Sequence, residues 1–169
     1  MLKLAAKYVR VVDGFNYYVG RVMMYGIFAL IGVLMWSVIA KQAFTIPPFW
    51  TLEVAQFILV AYYLLGGAYS IQLGANVRMD LFYSEWTDRK KAQMDAITVL
   101  MLIFYLGVML YGGIDSTAYA VKYQEHSPSI WRPLMWPIKA LMTFGIFMML
   151  LQAISELIKD IATIRGTHI

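Results

Sequence analysis

Charge-free apolar runs recur along this chain at similar intervals. Val22 to Ala40 is 19 residues without a charged side chain, Val54 to Leu73 is 20, and Ala96 to Ile114 is 19. A fourth run, Ala140 to Ser155, has 16 residues. It lengthens to about Trp136–Ile158 with Lys139 and Glu156 at its two ends, their charged heads reaching water. None of the runs alternates apolar and polar positions, as a lipid-facing β-strand of about 10 residues would. A helix needs roughly 20 apolar residues to cross a hydrocarbon core of about 30 Å. The pattern therefore predicts an all-α integral membrane protein with four transmembrane helices, over about 22–40, 52–73, 94–117 and 136–158.

A different pattern precedes the first run. Lys3, Lys7 and Arg10 recur at helical spacing on one face, and Leu2, Ala5, Val9 and Val12 on another. This predicts an N-terminal amphipathic helix over 2–13 that lies in the membrane interface, its cations toward phospholipid headgroups. Asp13-Gly14 would end it before the chain turns into the bilayer. Basic and apolar residues are interleaved here, with no apolar core and no small-residue cleavage site, so the segment does not read as a signal peptide. With no internal repeat or low-complexity tract, residues 1–169 read as a single membrane domain.

Composition agrees. Hydrophobic residues make up 61% of the chain and charged residues 14%, against roughly 25% charged in soluble domains. Four spans leave no room for a soluble catalytic domain. The net charge of +4 is explained by placement rather than by nucleic acid, which is not an expected partner. Ten cations (Lys3, Lys7, Arg10, Arg21, Arg78, Arg89, Lys90, Lys91, Lys159, Arg165) fall on the side holding both termini and the middle loop. Four (Lys41, Lys122, Arg132, Lys139) fall on the other. That bias puts both termini in the cytoplasm. The two outer loops are rich in Trp and Pro, which suits the headgroup zone and compact turns.

Much intramembrane chemistry is excluded. There are no cysteines, and neither His126 nor His168 lies in a span, which removes thiol chemistry and bis-histidine haem. No His or carboxylate ligands cluster in the spans, so no metal site and no cofactor is expected in this chain. The charge-free runs lack the mid-span acid usual in proton-coupled exporters. All prolines lie in loops, so the helices are not broken at mid-depth as in many substrate-binding transporters. Gly66-Gly67 and Gly112-Gly113 read as close-packing glycines rather than a site. A hydrophobic four-span chain without a centre of its own suggests a subunit whose chemistry lies in a partner.

Two stretches make this specific. Trp50-Thr51-Leu52-Glu53 opens the second span, which contains Gly66-Gly67-Ala68 and exits through Gly74-Ala75-Asn76-Val77-Arg78-Met79-Asp80. His126-Ser127-Pro128-Ser129-Ile130-Trp131, with Pro133 and Trp136-Pro137-Ile138-Lys139, leads into the last. Together they resemble the small membrane subunit of TRAP transporters, the DctQ-like family, over about residues 20 to 160. The matching positions are Trp50, Glu53, Gly74, Asn76, Arg78, Asp80, Pro128, Trp131, Pro133 and Pro137. Asn76 stands where the family commonly has His, so no titrating role carries over to it. The resemblance implies a non-enzymatic subunit of a bacterial inner-membrane importer. Its partners would be a large elevator-type membrane subunit, whose scaffold this chain packs on and stabilises, and a periplasmic substrate-binding protein. Small organic anions, carboxylates or sulfonates, would be the cargo, with sodium bound in the large subunit. The alternatives from other classes are a four-helix membrane enzyme acting on lipophilic substrates and a free-standing small transporter.

The topology also brings Glu53, Asp115 and Lys139 to the outer boundary. Charges there pair or reach water, and the reading is that Lys139 pairs with Glu53 or Asp115. In the middle loop, Asp80 is read as capping the next segment or pairing with a basic group.

Overall fold

A computed structural model describes residues 2–44, 48–74 and 87–164. Asn76, Arg78 and Asp80, and with them the expected role of Asp80, lie outside the described residues. The described chain is helical: α1 (Leu2–Met24), α2 (Gly26–Ala43), α3 (Thr51–Gln72), α4 (Asp88–Tyr123) and α5 (Trp136–Ile164). Four segments are long and apolar enough to cross a membrane. They are Ala5–Ala43, which takes in most of α1 and all of α2, then Thr51–Gln72, Gln93–Tyr123 and Trp136–Ile164.

Helix α3 sets the scale. Its 22 residues span about 33 Å at 1.5 Å per residue, close to the thickness of a hydrocarbon core. Helix α2 runs antiparallel to it, with Ser37 meeting Thr51 and Gly26 facing Tyr62. Helix α5 runs parallel to α3: Gly145 lies against Leu64, and Gly67 against Met149 one turn further along both helices. Helix α4 packs antiparallel on α5 around Leu106, Ile146 and Ala153. Near its far end Thr117 Oγ1 lies 3.0 Å from Thr143 Oγ1. Only one glycine of each pair meets a neighbouring helix: Gly67 faces Met149 and Gly113 faces Thr143, while Gly66 and Gly112 face open space.

Helix α1 departs from the expected form. It does not stop at Asp13-Gly14 but continues to Met24. The break comes at Tyr25, where the Tyr25 N–H bonds the Val22 carbonyl and the Phe28 N–H bonds the Tyr25 carbonyl, a tightened turn with a change of direction before Gly26. Asp13 cannot end the helix because its side chain is taken by partners on α5. The helix also crosses its neighbours rather than running along them. Tyr8 Oη reaches the Leu151 carbonyl, and Asn16 reaches Gln152. Eight residues of α1, about 12 Å, thus pass while the partner on α5 moves by one position. Gln72 and Tyr69 then meet Asp13 and Gly20. Helix α1 is a strap laid across the Gln72 end of the bundle. Val9, Val12 and Asn16 turn inward, and Lys7 and Arg10 are exposed.

Candidate functional site

The polar side chains gather at the two ends of the bundle, and each gathering ties helices together. At the strap end, Asn16 Nδ2 donates to Gln152 Oε1 at 2.5 Å. Gln152 Nε2 in turn donates to Asp13 Oδ1 at 2.9 Å and to Glu156 Oε1 at 3.0 Å. Ser155 Oγ donates to Asp13 Oδ1 at 3.0 Å. Lys159 Nζ closes the set, 2.7 Å from Asp13 Oδ2 and 2.9 Å from Glu156 Oε1. Helix α3 joins through Gln72 Nε2, which donates to the Asp13 carbonyl at 3.1 Å. Asn16, Gln152 and Ser155 are essentially without solvent contact. In an apolar surrounding such groups must find one another, so the chain of bonds fixes both the height and the rotation of α1 on α5. One lysine serves two carboxylates here.

At the opposite end, Gln124 takes a left-handed conformation and caps α4. The following segment doubles back: Ser127 N–H bonds the Pro133 carbonyl, Met135 N–H bonds the Glu125 carbonyl, and His126 bridges Leu134 in antiparallel fashion. Arg132, also at positive φ, makes the turn, with its N–H on Ser129 Oγ and its carbonyl 3.0 Å from His126 Nδ1. Pro128, Trp131 and Pro133 shape this small hairpin, and Pro137 opens α5 in its first turn, where a missing N–H costs nothing. Buried Glu53 holds the hairpin onto α3, its Oε1 accepting from Ser127 Oγ at 3.1 Å. Thr51 Oγ1 lies 3.0 Å from Ser37 Oγ, tying α3 to α2, and 2.9 Å from the Pro48 carbonyl; with its one proton on that carbonyl it accepts from the Ser37 hydroxyl.

The expected pairing of Lys139 is corrected. Its Nζ lies 2.5 Å from Glu125 Oε2, a residue of the hairpin, and not on Glu53 or Asp115. Glu53 points to Ser127, and Asp115 is exposed on α4. The hairpin folds back over the start of α5 and brings in an acid that helix heights alone do not reveal. With side-chain exposures of 20% and 38%, the pair is half in water, so Lys139→Met is expected to cost about 1 kcal/mol or less. In thermal unfolding of the detergent-purified chain, Glu125→Gln should recover that loss, and Glu53→Gln or Asp115→Asn should not.

The other sequence-derived positions fall as follows. Trp50, Trp131 and Trp136 share the hairpin end and are partly exposed. Gly74 ends α3 with φ of 60° and its N–H on the Ile71 carbonyl. That left-handed cap is a physical reason for glycine there. For Lys3 only its place in α1 is described. The strap-end residues Asn16, Gln72, Gln152 and Ser155 were missed by attention to charge alone. Their signal was present as neutral polar side chains interrupting apolar stretches. Among the described residues no group of three His, Asp or Glu side chains could hold a metal ion.

The fold and its sites define a multi-pass membrane protein whose polar residues bind helices to one another. More narrowly, residues 30–163 match the family of tripartite ATP-independent periplasmic transporters, DctQ component, and the chain belongs to that family. It is the small membrane subunit of a TRAP transporter, a family of transporter components rather than enzymes. No curated protein and no solved structure matches the chain.

Proposed function

We propose that this chain is the fixed frame of a sodium-coupled importer of small organic anions, carboxylates or sulfonates, in the bacterial inner membrane. It packs on and stabilises the scaffold of the large elevator-type subunit, which carries the sodium and solute sites. The periplasmic binding protein delivers the solute. The hairpin end faces the periplasm, and the strap and both termini face the cytoplasm. This orientation follows the distribution of basic residues, with Lys7, Arg10, Arg21, Lys90, Lys91 and Lys159 all toward the strap end.

One observation carries this reading beyond family membership. Polar contacts are concentrated at the two ends, and between them the helices meet through Leu106 and Ile146, with Leu64, Ile103 and Leu110 packed around them. An anion crossing through this chain would need polar groups at mid-depth, where desolvation is costliest. A bundle knitted at both ends and apolar between them suits a body that holds its shape while another part moves. Reconstituted into proteoliposomes, the chain together with the large subunit, the binding protein and an inward sodium gradient is expected to take up solute, and the chain alone to take up none. Uptake by the chain alone would overturn the proposal in favour of a free-standing transporter.

A further inference from the structure

A cavity of about 500 Å³ lies under the second half of the strap, between α1, α3, α4 and α5. Its wall on α3 runs from Ile71 to Tyr62, about 14 Å along the helix axis. The lining is mostly apolar, with Met23, Leu102 and Met149 on three sides and Gly66 on the floor, where an added Cβ would meet nothing within 4 Å. The groove thus begins at the level of the strap and descends along the spanning part of α3. At its head Tyr69 lines the cavity and packs edge-on against Tyr17, with ring centroids 5.8 Å apart. Tyr17 in turn accepts from Arg21 Nη1 at 2.5 Å, and the Arg21 guanidinium lies 5.7 Å from its ring centroid. Arg21 is exposed, and among the described residues its hydrogen-bond partner is this neutral phenol rather than a carboxylate. Arg21 lines a neighbouring hollow with Tyr18 and Tyr25, so a full positive charge held by the Tyr17 ring stands one aromatic pair, Tyr17–Tyr69, away from the apolar slot.

The geometry points to a bound anionic phospholipid: its phosphate lies on Arg21 and one acyl chain fills the slot beside Gly66. Charge complementarity selects this occupant over a partner's apolar helix, which would leave the arginine unanswered. Each CH₂ taken into the slot adds packing against Met and Leu side chains that a hollow would forfeit. The strap supplies the cation at headgroup height because it lies across the bundle end. The inference rests on the membrane placement proposed above and not on the transport role.

The probe is phosphatidylglycerol carrying a photoreactive diazirine on one acyl chain, with phosphatidylcholine bearing the same chain as control. The full chain is purified from membranes with whatever co-purifies, equilibrated in nanodiscs and irradiated, and the adducts are mapped by peptide mass spectrometry. Phosphatidylglycerol adducts are expected to concentrate on residues 62–71 and on Met149. Arg21→Gln is expected to lower them about five-fold relative to the phosphatidylcholine control, the value of one basic contact at an anionic surface. A Cβ at position 66 meets nothing within 4 Å, so Gly66→Leu can grow into the slot from an unobstructed root; it should abolish the adducts without lowering the melting temperature of the chain. Adducts spread evenly over the outer surfaces of α2 and α4, equal labelling by the two lipids, or labelling unchanged by both substitutions would overturn the site. Labelling of the chain alone that disappears when the large subunit is present would also overturn it, in favour of a protein occupant. Uptake measurements have no part in this readout, so failure of the transport proposal would leave it standing.

Discussion

Lys159→Met is expected to cost about 2 kcal/mol of folding stability, between the values of an exposed and a buried pair, because Lys159 is 30% exposed and its two acids 21% and 22%. Lys159 is the cation shared by Asp13 on the strap and Glu156 on its own helix. Its removal leaves two carboxylates on a common donor, Gln152 Nε2, with no counter-charge between them. Removing one acid instead leaves a neutral pair, which is why the lysine and not either acid is the sensitive position. Asp13→Asn or Glu156→Gln in the Lys159→Met background should recover more than half of the loss in equilibrium unfolding. Simple addition of the separate losses would show that the three groups do not act as a unit. Lys139 differs chiefly in number: it faces one acid, Glu125, which is 38% exposed, so its loss leaves no pair of carboxylates and water replaces more of what is removed.

Two glycines on the helix contacts should be nearly as sensitive, and a third should not. A Cβ on Gly20 would overlap the Tyr69 Cβ, and one on Gly145 would lie 2.8 Å from the Leu64 Cβ. In both cases the obstruction is the root of a side chain, which cannot swing aside without moving the helix. Gly20→Ala and Gly145→Ala are each expected to cost about 1–3 kcal/mol through forced separation of α1 from α3 or α5 from α3. Gly66→Ala meets nothing and should stabilise α3 by up to about 1 kcal/mol, the ordinary gain of removing glycine from a helix. Melting temperatures of the three purified variants give the order directly. Equal effects at all three positions would show that the close approaches are absent.

The contrast among these glycines explains what was legible in the sequence and what was not. Four spans follow from the length and apolarity of runs such as Val54 to Leu73, because a bilayer imposes those two properties without reference to any neighbour. Val9 and Val12, buried in the structure, were placed on the apolar face of α1 by spacing alone. Which glycine of a pair touches another helix depends on rotation about the helix axis, and a run that is apolar all round carries little record of rotation. The extent of α1 was lost for a related reason. Asp13-Gly14 has the local form of a helix end, but Gln152, Ser155 and Lys159, far later in the chain, supply partners that let the helix run on. Helix heights alone place Lys139 beside Glu53 and Asp115, whereas the hairpin following Gln124 returns Glu125 to the start of α5. In each case the missing information is a contact that the pattern along the chain does not carry: between helices far apart in sequence for Asp13, and across a returning hairpin for Lys139.

Affinity purification measures most directly whether this chain holds a large transport subunit, as proposed. A tagged copy expressed at native level would be extracted from membranes in mild detergent, and its companions identified and counted by mass spectrometry. The expected result is one large polytopic membrane protein in equal amount, retained through size exclusion and lost when Lys159→Met disorders the strap end. Recovery of the chain by itself, as a stable monomer or a homo-oligomer with no large subunit, would rule out the scaffold role.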